Sequence, residues 1–471
     1  MNITQENQDT AMQRVRNLSI NVYLLNSNMQ TINQLSGKVI AGNISIDANS
    51  DIRRTCNIDM VMEGAEFDIE LWLNKCVRIE TGIENIMTGE VDWINQGVYL
   101  INNPIITYSG SESKISFQGL DLMARLTGLR NGYLTDLQTQ IAQGSSIRNA
   151  MISTLALAGI TNYIIDEAPY DTQYQINVDI GGTVYDILKE LRNMIPNYEI
   201  FFDVNGTFIY QKIPNGVNDP IMLDNSTWED VVLSVEKTKP LDEIKNYIYV
   251  YGKSLEPTYF QTANTTWDSV NKILHVYYNQ IEVESDITSG TIIGFVTPTL
   301  DESTDMELPN ISINDWASKQ IWDGVVALEY MPKNEYICLR SEGDGASYDY
   351  LGKQQILAIE GEYNPQSPFS IGSIGEVKLP LIGGEYDNIY TDSLAYQRAK
   401  YELYLRCRMN DSINMNIVPL YYLDVNVKIE HQIAEGFESN QYIIKSVSTD
   451  LSATGTQTIQ AIRFYPEYPE W

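Results

Sequence analysis

The first quarter of the chain alternates apolar and polar positions with a period of two, the mark of strands that bury one face. Val39-Ile40-Ala41-Gly42-Asn43-Ile44-Ser45-Ile46-Asp47 carries the alternation, and Val98-Tyr99-Leu100-Ile101 adds a β-rich run. Gly89 and Gly97 punctuate the pattern, so residues 18–117 are predicted to form an antiparallel sheet with one wet face. Leu120 to Leu129 then reads as a short helix, with Leu122 and Leu126 on one face and Gly128 near its end.

The period changes between about residues 131 and 235. Ile147, Met151 and Leu155 form a helical stripe after Ser146, stopped by Gly159. Thr183 with Asp186 makes a capping-box start, and Val184, Ile187, Leu188, Leu191 and Met194 keep helical spacing up to Pro196. Asn205-Gly206 joins two β-prone runs, Glu199–Val204 and Thr207–Tyr210, and both turn residues tolerate positive φ, so a hairpin belongs there. These elements predict a small α+β domain.

A strand is expected at Asn246–Gly252, followed by irregular chain. No Lys or Arg falls between Lys272 and Lys319, where eight acids from Glu282 to Asp315 read as a solvated surface. Pro365, Pro368, Gly372, Gly375 and Pro380 mark Gly361–Gly384 as a linker or long loop. Asp392 is the expected cap of a helix with Ala395, Ala399 and Leu403 every fourth residue and Arg406 and Arg408 near its end. Strict alternation of Leu423, Val425, Val427 and Ile429 with Asp424, Asn426, Lys428 and Glu430 predicts a half-buried strand. Two further strands are expected at Gln441–Val447 and Thr458–Phe464.

Composition narrows the functions open to such a chain. Its 471 residues, 43% of them apolar and 31 of them Tyr, suffice for three or four globular domains with extensive half-wet surfaces. The 31 basic and 62 acidic residues leave a net charge of −31, which repels phosphate backbones and argues against a DNA-gripping role. The first twenty residues lack the basic start and apolar core of a signal peptide, and no apolar run reaches membrane-spanning length. Synthesis and folding in a cytoplasm are therefore expected. Cys56, Cys76, Cys338 and Cys407 are scattered and read as reduced thiols.

Chemistry-bearing patterns are missing. His275 and His431 are the only histidines, too few for multi-His metal sites; His275 reads as part of a strand and His431 as a solvent-facing residue after one. There is no His-Glu-x-x-His, no Gly-x-Ser-x-Gly and no phosphate loop. With 62 acids a glycosidase-like carboxylate pair could be drawn anywhere, so such pairs carry no weight. Glu342-Gly343-Asp344-Gly345 lacks calcium-hand spacing and reads as an acidic turn. No catalytic, cofactor-binding or metal residue is assigned, and the chain is not expected to be an enzyme.

Three stretches carry a resemblance instead: Ser116-Phe117-Gln118-Gly119-Leu120-Asp121-Leu122-Met123-Ala124-Arg125-Leu126-Thr127-Gly128, Tyr99-Leu100-Ile101-Asn102-Asn103-Pro104, and Asp392–Leu403, where a short helix again meets β-rich chain. Together they resemble the central hub proteins of bacteriophage tail baseplates. The resemblance implies a mainly β fold with α+β parts, containing two tube-type β-barrel domains of related fold. The first would span 1–130 and the second 236–256 with 385–471; an α+β domain would fill 131–235 and a β-rich insertion without an assigned role 257–384. It also implies a homotrimer in the virion tail, joining a hexameric tail tube to a trimeric spike around a DNA-conducting channel. Expected partners are a tail tube or distal tail protein, a spike protein and a tape-measure protein. The chain ends directly after its last expected strand, at Tyr465-Pro466-Glu467-Tyr468-Pro469-Glu470-Trp471, with no room foreseen for a peptidoglycan-degrading domain. The alternatives are a carbohydrate- or receptor-binding tail protein that would use Trp267, Trp316 and Trp322, and a cell-wall hydrolase.

Overall fold

The computed structural model describes residues 5–13, 16–26, 28–35, 37–62, 75–110, 112–135, 138–214, 216–254, 259–261, 264–268, 273–278, 281–286, 325–330, 335–342, 345–351, 355–432, 439–452 and 454–465. It divides into two compact units: Met1–Ile244 with Arg408–Glu470, and Lys245–Cys407. Both are mainly β, with α+β character in the first, as the sequence predicts.

Seven strands open the chain: β1 (Leu18–Leu25), β2 (Thr31–Gln34), β3 (Gly37–Asp47), β4 (Arg54–Met62), β5 (Cys76–Glu84), β6 (Val91–Ser109) and β7 (Glu112–Leu120). Seven follow up to the unit boundary: β8 (Gln138–Ile141), β9 (Tyr163–Ile165), β10 (Ile176–Asp179), β11 (Tyr198–Phe202), β12 (Phe208–Lys212), β13 (Ile221–Leu223) and β14 (Val232–Thr238). The second unit holds β15 (Tyr247–Ser254), β16 (Tyr259–Gln261), β17 (Asn264–Asp268), β18 (Ile273–Tyr278) and β19 (Ile281–Asp286). It continues with β20 (Val325–Tyr330), β21 (Glu335–Glu342), β22 (Gly345–Leu351), β23 (Gln355–Gly361) and β24 (Lys378–Leu381). The chain then returns to the first unit with β25 (Ser412–Ile417), β26 (Lys428–His431), β27 (Asn440–Asp450) and β28 (Gln457–Arg463).

A thirteen-stranded sheet dominates the first unit, in the order β14-β25-β28-β27-β3-β4-β7-β6-β5-β1-β2, with β26 joined to β27 and β13 to β26. Strands from both ends of the chain meet where β27 pairs antiparallel with β3, Val447 opposite Ile46. Alternation explains the shared core: Cys56, Ile58 and Met60 of β4 point inward at 1% exposure while Thr55, Asn57 and Asp59 point out. Ile44, Ile79 and Phe117 pack in one cluster with Met415, Ile444, Val447 and Ile459, and each such burial contributes about 1.5–3 kcal/mol.

The α+β elements appear where their signals stand. Thr183 Oγ1 accepts the Asp186 amide at 3.2 Å and Asp186 Oδ2 accepts the Thr183 amide at 2.7 Å, closing the capping box of the Val184–Asn193 helix. Gly206, at φ 77°, turns β11 into β12, and β9 adds in parallel beside β12. Several local expectations are corrected. Leu120–Leu129 is not an α-helix but one 3₁₀ turn, Leu122–Arg125, because the Asp121 carboxylate takes the Met123 amide at 2.9 Å and the chain then bends towards Gly128 at φ 84°. Leu423–Val427 is not a strand: Asn426 sits at φ 62°, a left-handed conformation that breaks pairing, and only Lys428–His431 enters the sheet. Lys428, expected on the wet face, is buried and donates to the Gly216 carbonyl at 2.6 Å.

His431 is likewise buried, not solvent-facing, with its ring edge-on to Trp228 at 5.7 Å between centroids. Burial pushes the imidazole below its usual range. The unfolded chain accepts this proton near pH 6.5, so His431 contributes stability above that pH that is lost on acidification. Asp121 opposes it, since burial raises its carboxyl to about 6 and its contribution grows as pH falls through that value. The expected result is a His431→Phe variant whose melting temperature falls less than the parent's between pH 7 and about 5, Asp121 being common to both.

In the second unit β15 lies between β23 and β24. Its inward residues Ile248 and Val250 pack with Ile356, Ala358 and Leu381 against the Asp392–Arg406 helix through Ala395 and Ala399, both at 0% exposure. The cap of that helix is Thr391, one residue before the expected Asp392, with Thr391 Oγ1 accepting the Leu394 amide at 3.2 Å. Gly361–Gly384 is long and mostly irregular, as expected of a loop, but it is firmly held. Buried Asn246 donates to the carbonyls of Phe369 (2.9 Å) and Gly375 (2.7 Å) and accepts the Val377 amide (2.7 Å), and the segment forms a helical turn, Ile371–Ile374, before β24. One buried carboxamide thereby satisfies backbone groups that Pro and Gly leave without regular partners. Strands β16-β22-β21-β20 and β17-β18-β19 form two further antiparallel sheets.

Candidate assembly surface

Of the chemistry-bearing residues considered from sequence, His275 lies in β18 and His431 in β26, in different units. Trp267 lies in β17; Trp316, Trp322 and the Gly343-Asp344 pair fall outside the described residues. Among the described residues no group of three or more His, Cys, Asp or Glu is placed to hold a metal.

The broad outer face of the large sheet is the site the topology builds. Registers align Ser234, Asn416, Thr458, Ser448, Ser45 and Thr55 in one row across β14, β25, β28, β27, β3 and β4. A second row runs Glu236, Asn414, Gln460, Ser446 and Asp47. A third runs Asp450, Asn43, Asn57, Gln118 and Asn102 out to β6. None of these side chains is buried. Three are acidic, Glu236, Asp47 and Asp450, and none is Lys or Arg; the rest are carboxamides and hydroxyls.

The amides and hydroxyls tie neighbouring strands together. Asn416 Nδ2 donates to Ser234 Oγ (3.1 Å) and Thr458 Oγ1 to Asn416 Oδ1 (2.9 Å). Asn43 Nδ2 donates to Ser448 Oγ (3.0 Å), bridging the two chain ends, and Asn102 Nδ2 to Gln118 Oε1 (3.3 Å). Along these three rows the paired side chains offer a passing chain few free donors and little charge, while the row Lys38, Val61 and Lys114 at the β3-β4-β7 end of the same face carries two cations.

Behind the face sits a buried polar junction. Arg53 pairs with Glu199 of β11 and lies over the Phe201 ring at 3.8 Å. Asn426 Nδ2 reaches the two Glu199 oxygens at 3.3 and 3.2 Å, and Lys445 Nζ donates to Asn426 Oδ1 at 3.1 Å. Burial pushes the Lys445 ammonium down while Glu199 raises it. Arg54 pairs with Asp424 at 2.5 Å, and its amide donates to Asp121 at 2.9 Å. The junction therefore joins β4, the α+β elements and the chain leading into β26. Sequence reading missed it; the adjacent Arg53-Arg54 was its one visible signal.

The main path of the sheet ends on β2 and β14, and among the described residues neither pairs with a further strand. All four residues of β2 are exposed, Ile32 at 51%, and on β14 Leu233 stands out at 59% beside a register shift. Such edges are templates for pairing with another chain.

A family described as "Domain of unknown function (DUF5048)" matches residues 366–468. No curated protein matches the chain in sequence. Among solved structures, a tail protein from Neisseria meningitidis MC58 is similar at 9% identity and TM-score 0.50, covering 94% of this chain and 96% of that one. The 43 kDa tail protein of prophage MuSo2 from Shewanella oneidensis is 11% identical at TM-score 0.48, covering 94% and 98%. The E. coli protein c3393, a component of the type VI secretion system, is 9% identical at TM-score 0.43, covering 96% and 78%. The likeness to the Neisseria protein is one of fold, and the fold this chain shares is that of a tail protein.

Proposed function

We propose that this chain is a structural virion protein, the central hub of a phage tail baseplate, whose copies close into a trimeric ring joining a tail tube to a spike. The fold likeness to a tail protein supports a structural role in a tail. One observation carries the finer reading: strands from both chain ends make one wide sheet, three of whose outer rows hold carboxamides, hydroxyls and three acids but no Lys or Arg. In this reading these three rows line the channel. Lys-phosphate contacts would slow DNA in passage, and these rows supply none. The edge strands β2 and β14 would be covered by neighbouring copies, so that a closed ring leaves no template for aggregation. Spike, tape-measure and tail tube proteins are the proposed partners, and the tail the proposed location.

Mass measurement of the purified chain, alone and with its spike partner, is expected to give a trimer; a strict monomer or dimer under both conditions overturns the hub reading. Native protein is expected to leave DNA unretarded at physiological salt. Combining Asn43→Lys, Asn416→Lys and Ser448→Lys should produce DNA retention that fades as salt rises, by roughly tenfold or more in affinity over a severalfold salt increase. Salt-sensitive retention by the native ring would sink the channel-wall assignment.

A further inference from the structure

The hairpin joining β5 to β6 ends in a tight, firmly held turn that projects apolar side chains into solvent. Asn85 organises it: its Oδ1 accepts the amides of Met87 (3.0 Å) and Thr88 (3.3 Å), its carbonyl accepts Gly89 (2.7 Å), and its own amide donates to the Glu90 carbonyl (2.7 Å). The N-terminal segment braces the turn, because Gln13 Oε1 accepts the Ile86 amide at 2.9 Å and Asn85 Nδ2 donates to Thr10 Oγ1 at 3.2 Å. On this frame Met87 is 91% exposed and Ile86 52%.

The apolar surface continues onto the strands. Trp93 of β6 is 41% exposed and Val91 37%. Both lie over Gly82 of β5: a Cβ there would come within 2.6 Å of Val91 Cγ1 and 2.8 Å of Trp93 Cε3. The missing side chain at Gly82 lets the indole settle against the sheet. An exposed Trp and Met on a braced hairpin make a preorganised anchor, since little freedom remains to be lost on binding. Single exposed apolar residues are common on surfaces; four on one hairpin are not.

Charge selects the occupant. Arg78 at the base of the hairpin is paired with Glu80 at 2.9 Å, and from Gly82 to Val98 the hairpin contains Glu84, Glu90 and Asp92 and no Lys or Arg. Glu84 and Glu90 flank the tip, directly before and after the Asn85–Gly89 turn. An acidic rim repels an anionic membrane surface and nucleic acid, and disfavours a second copy of a chain whose net charge is −31. We propose that the Ile86-Met87 tip with Val91 and Trp93 is a docking knob for a different protein, one presenting an apolar socket bordered by Lys or Arg. The knob stands whether or not the ring reading holds, and the trimer mass, unchanged in knob variants, separates the two.

The probes are the proteins encoded by the flanking genes, each purified and titrated against the full chain. One is expected to bind, and Met87→Glu and Trp93→Glu should each weaken it at least about thirtyfold. Ile105→Glu, at an exposed apolar position on the far part of β6, should leave it unchanged. Combining Glu84→Lys with Glu90→Lys should weaken binding and flatten its salt dependence. Met87→Ala keeps the test valid if a charged variant misfolds. Binding insensitive to all knob variants, or no binding by any flanking-gene product, overturns the proposal. So does knob-dependent binding to phosphatidylglycerol vesicles, or knob-dependent self-association, in place of a flanking-gene product.

Discussion

Replacing Ala399 with glutamate is expected to unfold the Lys245–Cys407 unit well below the temperature at which the native chain melts. Ala399 and Ala395 are fully enclosed, and their small side chains let the Asp392–Arg406 helix lie against Ile248 and Val250 of β15 and Ile356 and Ala358 of β23. A glutamate there faces hydrocarbon. The nearby cations are committed elsewhere, Arg398 to Glu385 (2.6 Å) and Glu402 (2.9 Å), and Arg406 to Glu402 (3.0 Å). Burying the unpaired carboxylate, or expelling it by lifting the helix, costs about 4 kcal/mol or more. Calorimetry should show one transition moved down sharply. Lys400→Gln, on the exposed side of the same helix, should stay within about 0.5 kcal/mol of the parent. Equal melting of Ala399→Glu and parent would mean that the helix does not pack as described.

What could be read from sequence follows the range of the interactions involved. The Val184–Asn193 helix and the β11–β12 hairpin rest on residues two to four apart, Thr183 with Asp186 and Asn205 with Gly206, and both form where expected. Strands β3 and β27 were visible as alternation, but their pairing across some 400 residues of chain was not, because period-two patterns specify a face and not a neighbour. Where the reading failed or stopped short, a distant group had intervened. Asn246 orders Gly361–Gly384 from more than a hundred residues away. Asn426, drawn to Glu199, turns left-handed and ends a strand that alternation alone would extend. The candidate surface was half legible: the overall acidity could be counted, but that three registered rows carry no Lys or Arg emerges only from strand order.

The buried junction supplies the other large effect. Glu199→Ala is expected to cost about 3–5 kcal/mol of stability in the first unit, more than a surface ion pair of the same geometry would. The side chains of Arg53 and Glu199 are only 5% and 10% exposed, so the guanidinium left behind cannot recover its hydration. The loss spreads, because Glu199 also accepts from Gln211 Nε2 at 3.0 Å and from Asn426 Nδ2. Without it Asn426 Nδ2 loses its acceptor, and Lys445 loses the carboxylate that offsets its burial. Combining Arg53→Met with Glu199→Gln should be far milder than Glu199→Ala, since the methionine can still lie over Phe201 and no charge is stranded. Denaturant unfolding of the parent, of Arg53→Met and Glu199→Gln singly, and of the two combined gives the coupling energy directly. Additive losses, with the double variant as unstable as the sum, would show that the two residues act separately and that the junction does not bind β4 to the α+β elements.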